Sequence, residues 1–594
     1  MVSPIVPRFT LSIKTIILAI VVGVLAGLGS IAFLIMLQLS TKVLLGLAGY
    51  TPPSPAGEEM EFIPVNVPCI GRPIIIILPA AGGLISGAIS YKLAPETEGD
   101  GTDATIEAFH RKRGLIKGRV PLVKAVTSAI LIGSGGSAGR EGPISQIGGG
   151  VASFIATKLG LSEREREILV VAGLAAGIGS IFRSPLGGSI FGIETLYKKD
   201  YEVEALVPAV LSTFVAYIVF SVIVGWRPIF DTPPYSFTSA QLPFFAALGV
   251  LAGLMARLYV YMYTKVRECF QGLKNPIIKP IKPAIGGLMV GVIGYFIPQA
   301  LETGYGWIQL AIWGKIALEI LIIVVFVKMI ATSLSVGSGG SGGLFAPSLV
   351  IGGFLGGVVG YVFHEMFPQY IDEPGVFILV GMGCFFAAAA KVPLASIIMV
   401  AEMTGDYNIL APAFLASVIA YLVSGDASIY EKQIDVRIHS PLHEREFIAT
   451  FLGRLKVEEI AIPDIRVVRE DMRLDMLERV FRESDRLALP VINKEGKYVG
   501  IVAVDDLFSI PIELRANKYV RDIVKCKFVC VDPKDSLLTA LYKMVEHELP
   551  ELPVVDMRTK ELRGEVSFRD VIKLLHYSAE EYFGELKIKY KVRA

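Results

Sequence analysis

Residues 133–149, Gly-Ser-Gly-Gly-Ser-Ala-Gly-Arg-Glu-Gly-Pro-Ile-Ser-Gln-Ile-Gly-Gly, return 204 positions later as residues 337–353, Gly-Ser-Gly-Gly-Ser-Gly-Gly-Leu-Phe-Ala-Pro-Ser-Leu-Val-Ile-Gly-Gly, with ten of seventeen positions identical. A second set follows at nearly the same offset, where Gly173, Pro185-Leu186 and Glu194 correspond to Gly381, Pro393-Leu394 and Glu402. The chain therefore contains a duplicated half. Each copy places glycine-rich backbone within hydrophobic sequence, and at membrane depth such backbone is tolerated only where buried protein or a cavity satisfies its polar groups. That is the pattern of a membrane transporter built on paired broken helices.

Composition agrees, since 53% hydrophobic and 19% charged residues over 594 positions, with a mean hydropathy of +0.58, do not describe a soluble chain. A net charge of +1 without a basic block offers nothing to a nucleic acid. Charge is instead segregated. From Val120 to Ala427 ionisable residues are isolated in apolar sequence, whereas from Glu431 onward both signs recur every few positions, so a soluble domain follows a membrane domain. Cys69, Cys269, Cys384, Cys526 and Cys530 show no zinc or disulfide spacing. Residues 15–49 are too long for a signal-peptide core and read as a retained first membrane helix. Arg8, Lys14, His110 to Arg113, Lys117, Arg119, Lys198 and Lys199 mark the cytoplasmic side together with both termini, leaving the acidic, proline-rich loop 51–66 outside.

Apolar segments fall near 15–49, 73–91, 120–134, 144–159, 168–180, 185–197, 204–226, 241–265, 283–299, 316–336, 345–363, 375–389, 393–403 and 410–424. Several are shorter than the roughly 20 residues a helix needs to cross a bilayer core. Helices that start at mid-depth, next to glycine and proline, present unpaired N–H groups and about half a positive charge to whatever lies between them. The natural guest is an anion.

The soluble tail is itself duplicated. Leu489-Pro-Val-Ile492 and Gly500-Ile-Val-Ala-Val-Asp-Asp-Leu507 are echoed by Leu552-Pro-Val-Val-Asp556 and Gly564-Glu-Val-Ser-Phe-Arg-Asp-Val571. Each copy reads as strand, amphipathic helix, strand, strand, helix, with apolar helix faces at Leu474, Leu477 and Phe481 and at Leu538, Leu541 and Val545. This resembles a tandem CBS-domain pair. The resemblance implies an adenine-nucleotide site, for ATP, ADP or AMP, at Gly564, Ser567 and Asp570 of the second copy. The first copy keeps Asp506 but has Ala503 where the hydroxyl belongs. A pair that only stiffens a dimer is the competing reading.

Gly139-Arg-Glu-Gly-Pro143, Gly343-Leu-Phe-Ala-Pro347, Pro185-Leu186 with Glu194, the Glu402-Met403-Thr404 run and Tyr430 occur in one order within a duplicated membrane domain. Over about residues 15–435 the chain resembles the CLC family of chloride channels and proton-coupled chloride exchangers. The resemblance implies that Glu141 is the gating carboxylate, competing with the permeating anion and leaving when protonated. It also implies anion contacts from the backbone of Gly139, Arg140 and Gly142, from that of Leu344 and Phe345, and from the Tyr430 hydroxyl. Lys124 matches a lysine seen before this motif. The alternatives are an ion pair of Glu141 with Arg140, and an interfacial anchor for Tyr430.

Two places depart from the family pattern, at three positions. Gly99-Asp-Gly-Thr-Asp103 stands where a GSGIP-like loop is expected, placing Asp100 at the chloride-coordinating serine and Asp103 at the proline. Like charges about 4 Å apart at an effective dielectric of 20 cost about 4 kcal/mol, so Asp100 either changes ion preference, takes a proton itself, or, with Asp103, caps the helix from Ala104. After Glu194, where many exchangers carry a proton-transfer glutamate, stands Thr195. The first expectation is proton-coupled exchange of a small anion, chloride foremost, gated by Glu141 and modulated by nucleotide at the CBS pair; a passive chloride channel and a CLC-like transporter selective for another anion or a cation stay open as alternatives. A CBS-bearing magnesium transporter would need several acidic residues inside membrane helices. An enzyme would need a catalytic constellation, and the six histidines are dispersed.

The expected fold is an all-α polytopic membrane domain of two inverted-topology repeats with broken, partly spanning helices, followed by a cytoplasmic α/β tandem CBS domain. The expected organisation is an N-terminal tail 1–14, a membrane domain 15–435 with repeats near 73–226 and 283–424, a linker 436–455, CBS copies 456–513 and 514–580, and a tail 581–594. No cofactor and no metal is required. The resemblance implies a homodimer in a lipid bilayer, and the compact loops point to a prokaryotic cell membrane.

Overall fold

A computed structural model gives the fold and describes residues 12–58, 69–461, 465–484, 486–524 and 529–583. Residues 59–66 of loop 51–66, Cys526 and both chain ends lie outside them. The chain divides into two compact units, one from Phe9 to Leu442 and one from His443 onward.

The first unit is helical. Its first half comprises α1 (Ile13–Leu44), α2 (Leu78–Leu93), α3 (Gly101–Arg111), α4 (Val120–Gly133), α5 (Glu141–Lys158), α6 (Glu163–Ile181), α7 (Pro185–Glu194) and α8 (Leu206–Val224). Its second half comprises α9 (Leu242–Gly272), α10 (Lys282–Phe296), α11 (Tyr305–Ile312), α12 (Leu318–Gly337), α13 (Phe345–Met366), α14 (Val376–Ala390), α15 (Pro393–Thr404) and α16 (Leu410–Val423). Among the described residues six helices are long and apolar enough to cross a membrane, while α4, α14, α15 and α16 are apolar but shorter. Proline opens α4, α7 and α15 in their first turn, where its missing N–H costs nothing.

Equivalent elements of the halves pack reciprocally. A methyl group added at Gly83 of α2 would lie 2.3 Å from the Pro283 carbonyl of α10, and one at Gly287 of α10 would lie 2.2 Å from the Pro79 carbonyl of α2. The two contacts are related by the 204-residue offset. The helices touch through bare backbone, the geometry that small residues permit where lipid supplies no hydrophobic drive for association.

In the second unit, α17 (Glu444–Arg454) leads into the two CBS copies. The first copy has β1 (Val468–Arg469), α18 (Leu474–Arg482), β2 (Ala488–Ile492), β3 (Tyr498–Ala503) and α19 (Val504–Phe508), followed by the single turn α20 (Ile512–Arg515). The second has α21 (Leu537–Glu546), β4 (Glu551–Val555), β5 (Leu562–Ser567) and α22 (Phe568–Phe583). Strands run in the order β1-β2-β3 and β4-β5, with β1 parallel to β2 and both hairpins antiparallel. Of the first strand expected in the second copy, the described residues show one parallel bridge, Val531 to Val554. Leu474, Leu477 and Phe481 face one core and Leu538 another, while Val545 is 66% exposed and belongs to neither.

Candidate anion site of the membrane unit

The two glycine-rich turns meet. Gly139 and Gly343 exchange backbone hydrogen bonds, N–H to carbonyl at 2.7 Å one way and 2.9 Å the other, and the Gly342 N–H donates to the Gly99 carbonyl at 3.3 Å. This clasp gathers the N-termini of α3, α5 and α13 at one buried point. A methyl group at Gly142 would sit 2.8 Å from Gly343 Cα and 2.9 Å from Asp100 Oδ2, so only glycine fits there.

Two carboxylates occupy the point where these helix starts converge. Glu141, fully buried, accepts the Ala346 N–H at 3.2 Å and the Tyr305 hydroxyl at 2.5 Å. Asp100, 6% exposed, accepts the Leu344 N–H at 2.9 Å and the Asp103 N–H at 3.0 Å. It caps α3, as aspartate does well, and at the same time holds a donor of the facing α13. Helix starts carry partial positive charge and unpaired N–H groups, so each carboxylate stands where a free anion would be held.

The other candidates take distinct places. The Gly139 N–H is held by Gly343 and the Leu344 N–H by Asp100. Arg140 turns away from Glu141, pairing through two short bonds with Glu58, at 2.8 and 2.5 Å, while its Nε stays 4.0 Å from Glu141. Its guanidinium also lies over the Tyr305 ring, 5.1 Å from the centroid. Tyr430 is buried, so it is not an interfacial anchor, and its hydroxyl has no hydrogen-bond partner among the described residues. Asp103 does not cap α3. Its carboxylate accepts the Lys432 N–H at 2.8 Å, fastening the Tyr430 segment to α3. Phe345 stacks on Phe182, with ring centroids 4.6 Å apart.

Lys124 donates to the carbonyls of Thr97 and Gly99 at 3.0 and 2.7 Å, fixing the turn that delivers Asp100. Lys328, 204 positions later, does the same for the turn before α11, donating to Ala300, Leu301 and Glu302. Glu194 and Thr195 end α7. The Glu194 carboxylate accepts the Leu394 and Ala395 N–H groups at 3.1 and 2.7 Å and so caps α15. In turn, Glu402 of α15 caps α7, accepting from Leu186 and Gly187 at 3.2 and 2.9 Å and from the Ser184 hydroxyl.

Sequence reading missed Tyr305, Glu58, Lys328 and the carboxylate exchange between α7 and α15. Lys328 was detectable from its offset to Lys124, and the exchange from the equal distance of Glu194 and Glu402 from their prolines. A 500 Å³ cavity lined by Glu58, Arg140, Glu302 and Tyr305 reaches the partners of Glu141, and a 280 Å³ cavity is lined by Asp100 and Asp103.

In the second unit, the Ser567 hydroxyl donates to Asp570 at 2.5 Å and accepts the Asp570 N–H at 3.1 Å, opening α22. Asp506 accepts the Ala503 N–H at 3.2 Å in the equivalent place, and Gly564 lies in β5. Arg486 of the first copy pairs with Glu551 and Glu565 of the second.

Residues 82–425 match the family described as voltage gated chloride channel, and residues 457–513 and 520–577 match the CBS domain. Among curated relatives, an H(+)/Cl(-) exchange transporter ClcA of Citrobacter koseri is 31% identical over 358 residues, 59% of this chain and 76% of the relative. A putative chloride channel protein ClcB-like of Ralstonia nicotianae is 30% identical over 60% of this chain and 85% of its own length. The crystal structure of a slow cyanobacterial Cl-/H+ antiporter aligns with a TM-score of 0.62 at 25% identity, covering 71% of this chain and 97% of the other. That of a eukaryotic CLC transporter aligns at 0.57 and 21% identity over 94% and 98%, a likeness of fold. The chain thus belongs to the voltage gated chloride channel family, a family of membrane transport proteins and not of enzymes, with a tandem CBS pair C-terminal to its membrane unit.

Proposed function

We propose that the membrane unit exchanges a small anion, chloride first, for protons, with Glu141 as the gating carboxylate. The observation that carries this is the Ala346 N–H that Glu141 holds at the start of α13, because it is a group an anion would use and protonation would release it, while the Tyr305 hydroxyl anchors the charged carboxylate. The relatives named as H(+)/Cl(-) exchange transporters support the same reading. Gly139, Arg140 and Gly142, with Leu344 and Phe345, frame the path, and Tyr430 offers it an uncommitted hydroxyl. A passive channel is the second reading, favoured by Thr195, which leaves no carboxylate beside Glu194 for proton supply.

Reversal potentials in proteoliposomes under separate chloride and proton gradients test both. Exchange predicts uphill proton movement driven by chloride, abolished in Glu141→Gln, which keeps the shape but not the titrating charge; a channel predicts chloride current with no proton movement. We further propose that two copies pair in the membrane with their termini in the cytoplasm, and that the CBS pair takes one adenine nucleotide at Gly564, Ser567 and Asp570 rather than at Asp506. Equilibrium dialysis of the full chain with ATP, ADP and AMP, compared with Asp570→Ala and Asp506→Ala, tests that site. No binding at millimolar nucleotide leaves the pair a structural module.

A further inference from the structure

Asp100 and Glu141 hold N–H groups two residues apart at the start of the same helix, Leu344 and Ala346 of α13. Both carboxylates are buried, and each adjoins a different cavity: Arg140 and Tyr305, the neighbours of Glu141, line the 500 Å³ one, and Asp100 lines the 280 Å³ one. The Tyr430 hydroxyl, 1% exposed, lies beside Thr102 in the first turn of α3, near the charge of Asp100, and makes no hydrogen bond of ordinary geometry among the described residues. A buried hydroxyl without a well-formed hydrogen bond, next to the start of α3 that Asp100 caps, is a donor an anion can take.

We infer that Asp100 is a second carboxylate gate, on the side of the 280 Å³ cavity, which must take a proton before an anion from that cavity gains the Leu344 N–H and the Tyr430 hydroxyl. The step balances simply. Water in the cavity gives one proton to an Asp100 oxygen, the neutral acid no longer competes for the N–H, the anion binds, and the proton returns to water when the anion leaves. This inference rests on the transport reading, and it supplies the titratable group that Thr195 does not.

The charges around Asp100 come from every side. Its own helix supplies Asp103, α4 supplies Lys124, and α5 supplies Glu141 with Arg140. Tyr259, Tyr263 and Arg267 face it from α9, and Glu431 and Lys432 lie in the segment after α16. The cavity wall adds Glu96, Glu98, Glu107 and Lys282. Of these carboxylates, Glu96 is paired with Lys117, Glu107 with Lys112 and Glu431 with Arg267.

The test is chloride titration calorimetry on the full-length protein at pH 7.5 and pH 4.5, in a Glu141→Gln background that silences the first carboxylate. Glu141→Gln alone should bind chloride more tightly at the lower pH. Adding Asp100→Ser or the isosteric Asp100→Asn should raise affinity at pH 7.5 by about ten-fold or more and remove the pH dependence. If Glu141→Gln is already independent of pH, if neither Asp100 change alters affinity, or if no variant binds chloride, Asp100 is only a helix cap and the inference fails. Proteoliposome flux of the wild type judges the transport reading separately: chloride exchange with an indifferent Asp100 sinks this inference alone, and Asp100-dependent binding without flux sinks only that reading.

Discussion

The Tyr305 hydroxyl donates to the Glu141 carboxylate at 2.5 Å, across 164 residues of sequence and from one repeat to the other. The bond holds the charged form of Glu141 in place, and hydrogen bonds to charged groups are worth about 1.5–3 kcal/mol. Tyr305→Phe should therefore weaken Glu141 as a competitor and raise apparent chloride affinity roughly ten-fold or more, by the same free energy. Calorimetric titration of the variant checks it, and an unchanged affinity would show that the hydroxyl does not hold the gate.

Arg140 and Glu58 form a buried pair, the arginine 3% and the glutamate 11% exposed by side chain. Removing one partner of such a pair leaves the other charge uncompensated, at a cost of about 3–5 kcal/mol. Glu58→Gln should lower the thermal midpoint of the detergent-solubilised protein by that measure. It should also slow anion flux, since the freed guanidinium has Glu141 as its nearest remaining carboxylate, 4.0 Å from Nε.

Glu194 caps α15. Glu194→Ala orphans the Leu394 and Ala395 N–H groups, at about 1–3 kcal/mol each, and should lower thermal stability markedly. Glu194→Gln retains an acceptor and should be mild. Proton-to-chloride stoichiometry in Glu194→Gln is the deciding measurement: loss of coupling would return this carboxylate to the proton path.

In the CBS pair, burial pushes the Glu565 carboxyl up to about 7, the Arg486 charge opposing and Glu551 and Asp570 adding to the rise. A carboxyl raised in the folded state contributes stability that is complete below its ordinary value near 4.5 and is lost as pH climbs through 7. Hydrogen exchange of β4 and β5 in the full chain, corrected for intrinsic rates, should show protection falling between those limits. Glu565→Gln should flatten that slope.

Much of this arrangement was legible because duplication is visible as identity: the glycine-rich turns, the paired Pro-Leu helix starts and the two CBS copies all repeat in the sequence. Glu141 stood out through the Gly-Arg-Glu-Gly-Pro motif, and Asp100 through its departure from the GSGIP-like loop that the family resemblance implies. Their partners did not. Helix α11, Tyr305 to Ile312, has only eight residues, too few to register as a membrane segment, and Tyr305 reaches Glu141 only after the repeats fold together. Glu58 lay in a proline-rich loop whose composition said nothing of the arginine it would meet. Backbone acceptors of the kind held by Lys124 and Lys328 leave no trace in residue identity.

The exchange of carboxylates between α7 and α15 bears on how such a chain arose. A polypeptide with one copy would end its short helix in a glutamate with no helix start to close, and would begin that helix with N–H groups no carboxylate answers. A second molecule of the same polypeptide, turned about a two-fold axis, would complete both at once. The caps of Glu194 and Glu402 thus have, within one chain, the reciprocity of a contact between two identical half-length subunits.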